Sequence, residues 1–189
     1  VIYTEDEIIS NGYLVIEAGK IRAIEKGSYD GDLEVLDAKG HHILPGFIDI
    51  HIHGGYGEDA MDASYDGLKH LAEQLLSEGT TSFLATTMTQ SQEAIDKALK
   101  NIRTYYEQQD RENAAEIAGV HLEGPFISEN KIGAQNPAFI QRPTVALLQQ
   151  FQETAKGLIK IVTIAPEVAG ATEAVSYTHL TLPTSDLVE

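Results

Sequence analysis

Cysteine is absent from these 189 residues. Disulfides are therefore excluded, and any zinc or iron must be held by nitrogen and oxygen ligands. Basic side chains are scarce, 13 against 29 acidic ones, for a net charge of -16. That balance disfavours nucleic acid and anionic membrane as partners, and an anionic substrate would need cations gathered locally. No apolar run approaches the length of a membrane span, and the acidic stretch 1–10 lacks the charged-then-apolar plan of a signal peptide, so the expected location is cytoplasmic. Also missing is a G-x-G-x-x-G run after a first strand, which removes the usual sign of a dinucleotide-binding fold. Gly54, Gly55 and Gly57 lack that spacing and read as a turn.

What the chain does contain is two short strings with histidine and carboxylate at the ends of apolar runs. PGFIDIHIHGG, residues 45–55, reads as a buried strand, with Phe47, Ile48, Ile50 and Ile52 between a Pro-Gly start and a Gly-Gly end. Side chains alternate along a strand, so Asp49, His51 and His53 share a face. Two imidazoles one step apart on one face can reach a single divalent ion. A second string of the same build, Ile117, Val120 and Leu122 leading to Glu123 and a Gly-Pro stop, puts His121 and Glu123 on one face. Elsewhere a lone His-x-His is more often a chance or hydrogen-bonded pair. Here, leaving such groups buried and unpartnered costs roughly 2–7 kcal/mol each, which a shared cation offsets. His51, His53 and Glu123 are the expected ligands, with His121 supporting them from behind.

The rest of the chain orders these strings. Residues 1–43 are β-rich, with 13–16 and 21–24 flanking a Gly-containing turn as a hairpin. Beyond Pro45, strands alternate with amphipathic helices. Leu68, Leu71, Ala72, Leu75 and Leu76 form one helical stripe capped near Gly79; Ile95, Ala98, Leu99, Ile102 and Tyr106 form another, with Thr89 or Ser91 as N-cap. A third helix opens at Pro143 and Thr144 and runs to Gly157, and strands fall at 80–87, 117–122 and 159–164. This βαβαβαβ order predicts an α/β fold with a parallel sheet and right-handed crossovers. Ligands at the carboxyl ends of two different strands favour the first half of a (β/α)8 barrel over a doubly wound sheet.

PGFIDIHIHGG, EDAMDA, EGTTSFLATTMT, HLEGPFISENKIGAQNP and VTIAPE together resemble the N-acetylglucosamine-6-phosphate deacetylases of the amidohydrolase superfamily. HLEGPF followed by GAQNP carries the likeness most specifically, whereas His-x-His is shared by dihydroorotases, ureases and others. The resemblance implies hydrolysis of a linear amide, with acetate removed from N-acetylglucosamine 6-phosphate in amino-sugar breakdown, by a cytoplasmic homodimer or homotetramer. It implies a barrel carrying one or two Zn or Fe ions beside a small β-sandwich. The expected partition is 1–43 as part of that sandwich, 44–175 as the first four βα units, and 176–189 as an atypical, foreign-looking tail.

Position by position, the resemblance makes Glu123 a metal ligand and gives His51 and His53 to an additional metal position. Ala134 and Gln135 fall in the segment that contacts the sugar; a histidine is common in the family where Gln135 stands. Lys131 and Arg142 offer positive charge nearby, although solvation is the ordinary role of such residues. The implied chemistry is activation of a water and of the acetyl carbonyl by the cation, then protonation of the leaving nitrogen. The acid for that last step is an aspartate on a late strand, expected beyond residue 189, so that this chain holds no catalytic residue of its own. With Val1 in first place and an unfamiliar tail in which His179 is not a ligand, the sequence reads as a gene fragment, inactive alone and with open sheet edges prone to pairing. The competing readings are a dihydroorotase-like or dipeptidase-like amidohydrolase and a non-catalytic metal-binding fragment.

Overall fold

A computed structural model describes residues 1–179, and the chain divides into two compact units, Val1–Gly46 and Phe47–Glu189. In the first, β1 (Ile2–Tyr3) pairs antiparallel with β2 (Ile8–Ile9), and β3 (Gly12–Glu17) with β4 (Lys20–Lys26). The β3–β4 hairpin is the one expected from its turn, in which Ala18 and Gly19 both take left-handed backbone. Two separate two-stranded sheets are what this unit contains among the described residues.

In the second unit, β5 (Phe47–Ile52) is followed by a two-residue antiparallel pair, β6 (Gly54–Gly55) and β7 (Glu58–Asp59), and by α1 (Tyr65–Ser77). Then come β8 (Thr80–Thr86), α2 (Gln92–Gln108), β9 (Glu116–Glu123), α3 (Val145–Thr154), β10 (Ile159–Thr163) and α4 (Ala171–His179). The larger strands form one parallel sheet in the order β5-β8-β9-β10, each beside its predecessor and without a reversal. Each of the first three helices starts where a hydroxyl relieves an orphan amide: Ser64 accepts from Gly67, Ser91 from Ala94, and Thr144 from Leu147. Of the two N-cap candidates for α2, Ser91 is the one used.

The apolar stripes predicted for α1 and α2 meet the sheet. Leu68, Leu71 and Leu75 join Ile95, Leu99 and Ile102 over Phe83, Ile117 and Leu122 in one buried cluster. The core therefore lies on the helical side of the sheet, which leaves the carboxyl ends of the strands free for chemistry.

Two expectations are corrected. The strand at 47–52 is not buried on both faces: Phe47, Ile48 and Ile50 are 64%, 68% and 55% exposed, because β5 is an edge of the sheet. Helix α3 stops at Thr154 instead of reaching 157, since Lys156 and Gly157 have left-handed backbone that no helix continues through. Helix α4 covers the first residues of the segment expected as an atypical tail, with Ala171 and Ala174 buried. The remainder of that tail, from residue 180, lies outside the described residues, and the side chain of His179 does too.

Candidate metal centre

Alternation along β5 sends His51 and then His53, just past its end, toward the carboxyl edge of the sheet. Glu123 ends β9, two strands away, and arrives at the same place. His51 Nε2 lies 2.9 Å and His53 Nε2 3.1 Å from Glu123 Oε2, and the two imidazole nitrogens are 3.3 Å apart. Around an ion bonded at 2.0–2.2 Å, neighbouring ligand atoms are separated by roughly 2.8–3.6 Å, from octahedral to tetrahedral. All three edges fall in that interval. Glu123 Oε2 is buried yet makes no properly aligned hydrogen bond despite its proximity to both rings, as expected of atoms aimed at a common point instead of at one another. Nitrogen and carboxylate donors in this arrangement suit zinc or iron, so the residues fit a divalent ion.

Glu123 is held at its backbone by Thr87 and at its carboxylate by Gln135. Thr87 Oγ1 donates to the Glu123 carbonyl and accepts from the Glu123 amide, both at 3.1 Å, and the Thr87 amide donates to the His121 carbonyl. Gln135 Nε2 donates to Glu123 Oε1 at 2.7 Å, while its Oε1 accepts from the Thr89 amide at 2.8 Å. Gly124 follows with φ +67, and a Cβ there would stand 2.1 Å from Thr89 Oγ1, so only glycine lets the chain leave Glu123 this way.

His121 stays out of the triangle. Its Nδ1 is 2.9 Å from the Ile50 carbonyl and its Nε2 2.8 Å from Thr163 Oγ1. Because a carbonyl only accepts, Nδ1 carries a hydrogen and donates it to Ile50, and Nε2 shares the second bond with the threonine hydroxyl. Its ring packs edge-on against His51 at 4.6 Å between centroids, so it buttresses one corner of the triangle. Asp49, on the same face as the histidine pair, instead accepts from the His51 amide.

Of the other predicted residues, Gln135 is brought to the cluster and Ala134 is exposed beside it. Lys131 is exposed on the same loop. Arg142 lines a cavity of about 300 Å³ with Ser128, Glu129 and Glu167, whose lining includes none of the three clustered residues. The threonines and Thr163 were not foreseen. Their signal is the run Thr86-Thr87-Met88-Thr89, whose three hydroxyl residues are fully buried where β8 ends.

Comparison with known proteins fits this geometry. The Amidohydrolase family profile matches residues 42–177. The chain is 47% identical over 169 residues to an N-acetylglucosamine-6-phosphate deacetylase of Bacillus subtilis, covering 88% of the chain and 43% of that protein. It is 40% identical over 157 residues to the enzyme of that name from Lysinibacillus sphaericus, covering 83% and 40%. A solved N-acetylglucosamine-6-phosphate deacetylase from Pasteurella multocida superposes with a TM-score of 0.82 at 29% identity, over 95% of this chain and 46% of that one. The chain thus spans less than half the length of each.

Proposed function

The chain belongs to the amidohydrolase family, and from that membership we propose that its whole protein hydrolyses the acetamide of N-acetylglucosamine 6-phosphate, releasing acetate and glucosamine 6-phosphate. The observation that carries the reading is the triangle of His51, His53 and Glu123, in a chain 47% identical to a deacetylase of that sugar phosphate.

In this reading, His51 Nε2, His53 Nε2 and Glu123 Oε2 hold zinc or iron, as one ion or as one of a pair. Such an ion supplies Lewis acidity toward the acetyl carbonyl and toward water. Thr87 fixes the Glu123 backbone and Gln135 its carboxylate, and the segment at Ala134 and Gln135 borders the position of the sugar. The leaving nitrogen must gain a proton as the C–N bond breaks. We assign that step to an aspartate of a later strand.

For the architecture, we read 44–175 as the first four βα units of a (β/α)8 barrel and 1–43 as part of a β-sandwich. The unreversed strand order supports this, and so does the reach of His121 from β9 to β5, which requires a strongly curved sheet. A homodimer or homotetramer in the cytoplasm completes the proposal; no helix among the described residues is long and apolar enough to cross a membrane.

The test is hydrolysis by the metal-loaded whole protein, read as acetate release from N-acetylglucosamine 6-phosphate and its C4 epimer, as ring opening of a cyclic ureide and as amino-acid release from a dipeptide. Turnover of the first, abolished by Glu123→Gln together with its metal content, is the expected result. Turnover of the ureide or dipeptide alone would replace it with a dihydroorotase-like or dipeptidase-like activity.

A further inference from the structure

Gln135 sits in the segment that the family likeness gives to the sugar, yet both ends of its side chain are already engaged by the protein. The amide nitrogen donates to Glu123 Oε1 at 2.7 Å, and the amide oxygen accepts from the Thr89 backbone at 2.8 Å. These are short bonds, and the first is assisted by the charge of the carboxylate. Thr89 itself is fully buried where β8 ends, so the anchor at the far end is rigid. Glu123 Oε2, by contrast, is buried and left without an aligned partner, facing the two imidazoles.

We infer that Gln135 is a positioning residue for Glu123: it occupies Oε1, fixes the carboxylate rotation, and dedicates Oε2 to the ion. The inference rests on the metal-centre reading above. Its physical content is a division of labour between the two oxygens. A carboxylate free to rotate offers either oxygen, or both, to a cation. One that receives an N–H on Oε1 is oriented before the ion arrives and binds through Oε2 alone. The ordering entropy of that rotation is spent in folding instead of in ion capture. Partners of this kind typically change metal affinity 10- to 100-fold when removed. An imidazole at this position can also donate one N–H to Oε1, so a histidine there preserves the orienting bond, whereas a leucine of similar bulk abolishes it.

The experiment is a Co2+ titration of the 189-residue chain and of its Gln135→Leu and Gln135→His forms, read by the cobalt d–d absorption. A parallel measurement of hydrogen exchange in the metal-free protein reports the tether at the Thr89 amide, and retained protection at the core amides of Ile117 and Val120 shows that the variants fold. The expected result is an affinity for Co2+ that falls about 10- to 100-fold in Gln135→Leu, falls only a few-fold in Gln135→His, and is accompanied in the leucine form by faster exchange at Thr89. Unchanged affinity in Gln135→Leu, with the wild-type chain binding normally, overturns the positioning role and returns Gln135 to the sugar. Failure of the wild-type chain to bind Co2+ overturns the metal centre itself, and the inference with it.

Discussion

His121 donates from Nδ1 to the carbonyl of Ile50, 71 residues earlier and two strands away, at 2.9 Å. The pairing of β5 with β8 is irregular between Asp49 and Ile52, so that carbonyl sits where the ladder is broken. The other nitrogen is hydrogen-bonded to Thr163 Oγ1 on β10. One buried ring thereby ties three of the four strands. His121→Leu removes both bonds and leaves a carbonyl and a hydroxyl unsatisfied. It should destabilise the protein by about 2–4 kcal/mol, with about 1 kcal/mol for Thr163→Val. Urea unfolding followed by circular dichroism measures this; an unmoved midpoint for His121→Leu would contradict it.

Ion binding should stabilise the fold. At a free Zn2+ concentration 100 times Kd, the gain is about 2.7 kcal/mol, or roughly 5–10 °C in Tm for a chain of this size. A chelator should reverse it. His51→Ala should abolish the shift while leaving the metal-free Tm nearly unchanged, because that side chain is nearly half exposed and its loss empties little of the core. A melting shift that survives in His51→Ala would place the ion elsewhere.

Gly124→Ala strikes the centre from behind. The added methyl group meets Thr89 Oγ1 and backbone, and alanine is strained at φ +67. A loss of about 2–4 kcal/mol in stability is expected, together with weaker ion binding, since the move displaces both Glu123 and the strand end that anchors Gln135. Calorimetric melting and ion titration of the same sample check the two effects, and loss of stability with wild-type ion affinity would show the strain to be absorbed elsewhere.

Tyr105 offers a pH test away from the centre. Its ring is 1% exposed, its hydroxyl is buried without a hydrogen-bond partner, and burial pushes its pKa up to about 12. In the unfolded chain this phenol titrates near 10. Below pH 10 both states keep the proton and the group is neutral for stability; between about 10 and 12 the unfolded state ionises first. Stability should therefore fall across that window, by roughly 2–3 kcal/mol from this residue. Tyr105→Phe should remove that part of the alkaline loss and be neutral or slightly stabilising at pH 7, because it deletes an orphan hydroxyl. Stability measured from pH 7 to 12 for both proteins decides it, and parallel curves would refute the assignment.

How much of this was legible beforehand depended on period. His51 and His53 could be placed on one face by alternation alone, and Glu123 by the stop after an apolar run. The helices declared themselves through Leu68, Leu71, Leu75 and through Ile95, Leu99, Ile102. The bond from Gln135 to Glu123 could not be read, because residues 124–144 have no repeating pattern to fix where a side chain points. Nor could the meeting of His121 with Ile50, which requires the curvature of a sheet, a property of several strands together. The exposure of Ile48 and Ile50 was missed for a related reason: an apolar run shows that a strand is suited to burial, not which side of the sheet its neighbours occupy.

The unreversed neighbour order of β5, β8, β9 and β10 has a consequence for synthesis. A chain made from its amino terminus presents β5 first, and each later strand finds its partner already formed. No strand must wait for one still to be translated. At roughly 5–20 residues per second, successive βα units join within seconds of one another. Assembly by nearest neighbours also keeps loop closures short, the condition under which folding is fast. Beside the fixed outer edge of β5, a single growing edge is then in need of protection at any moment, and it moves forward with the ribosome.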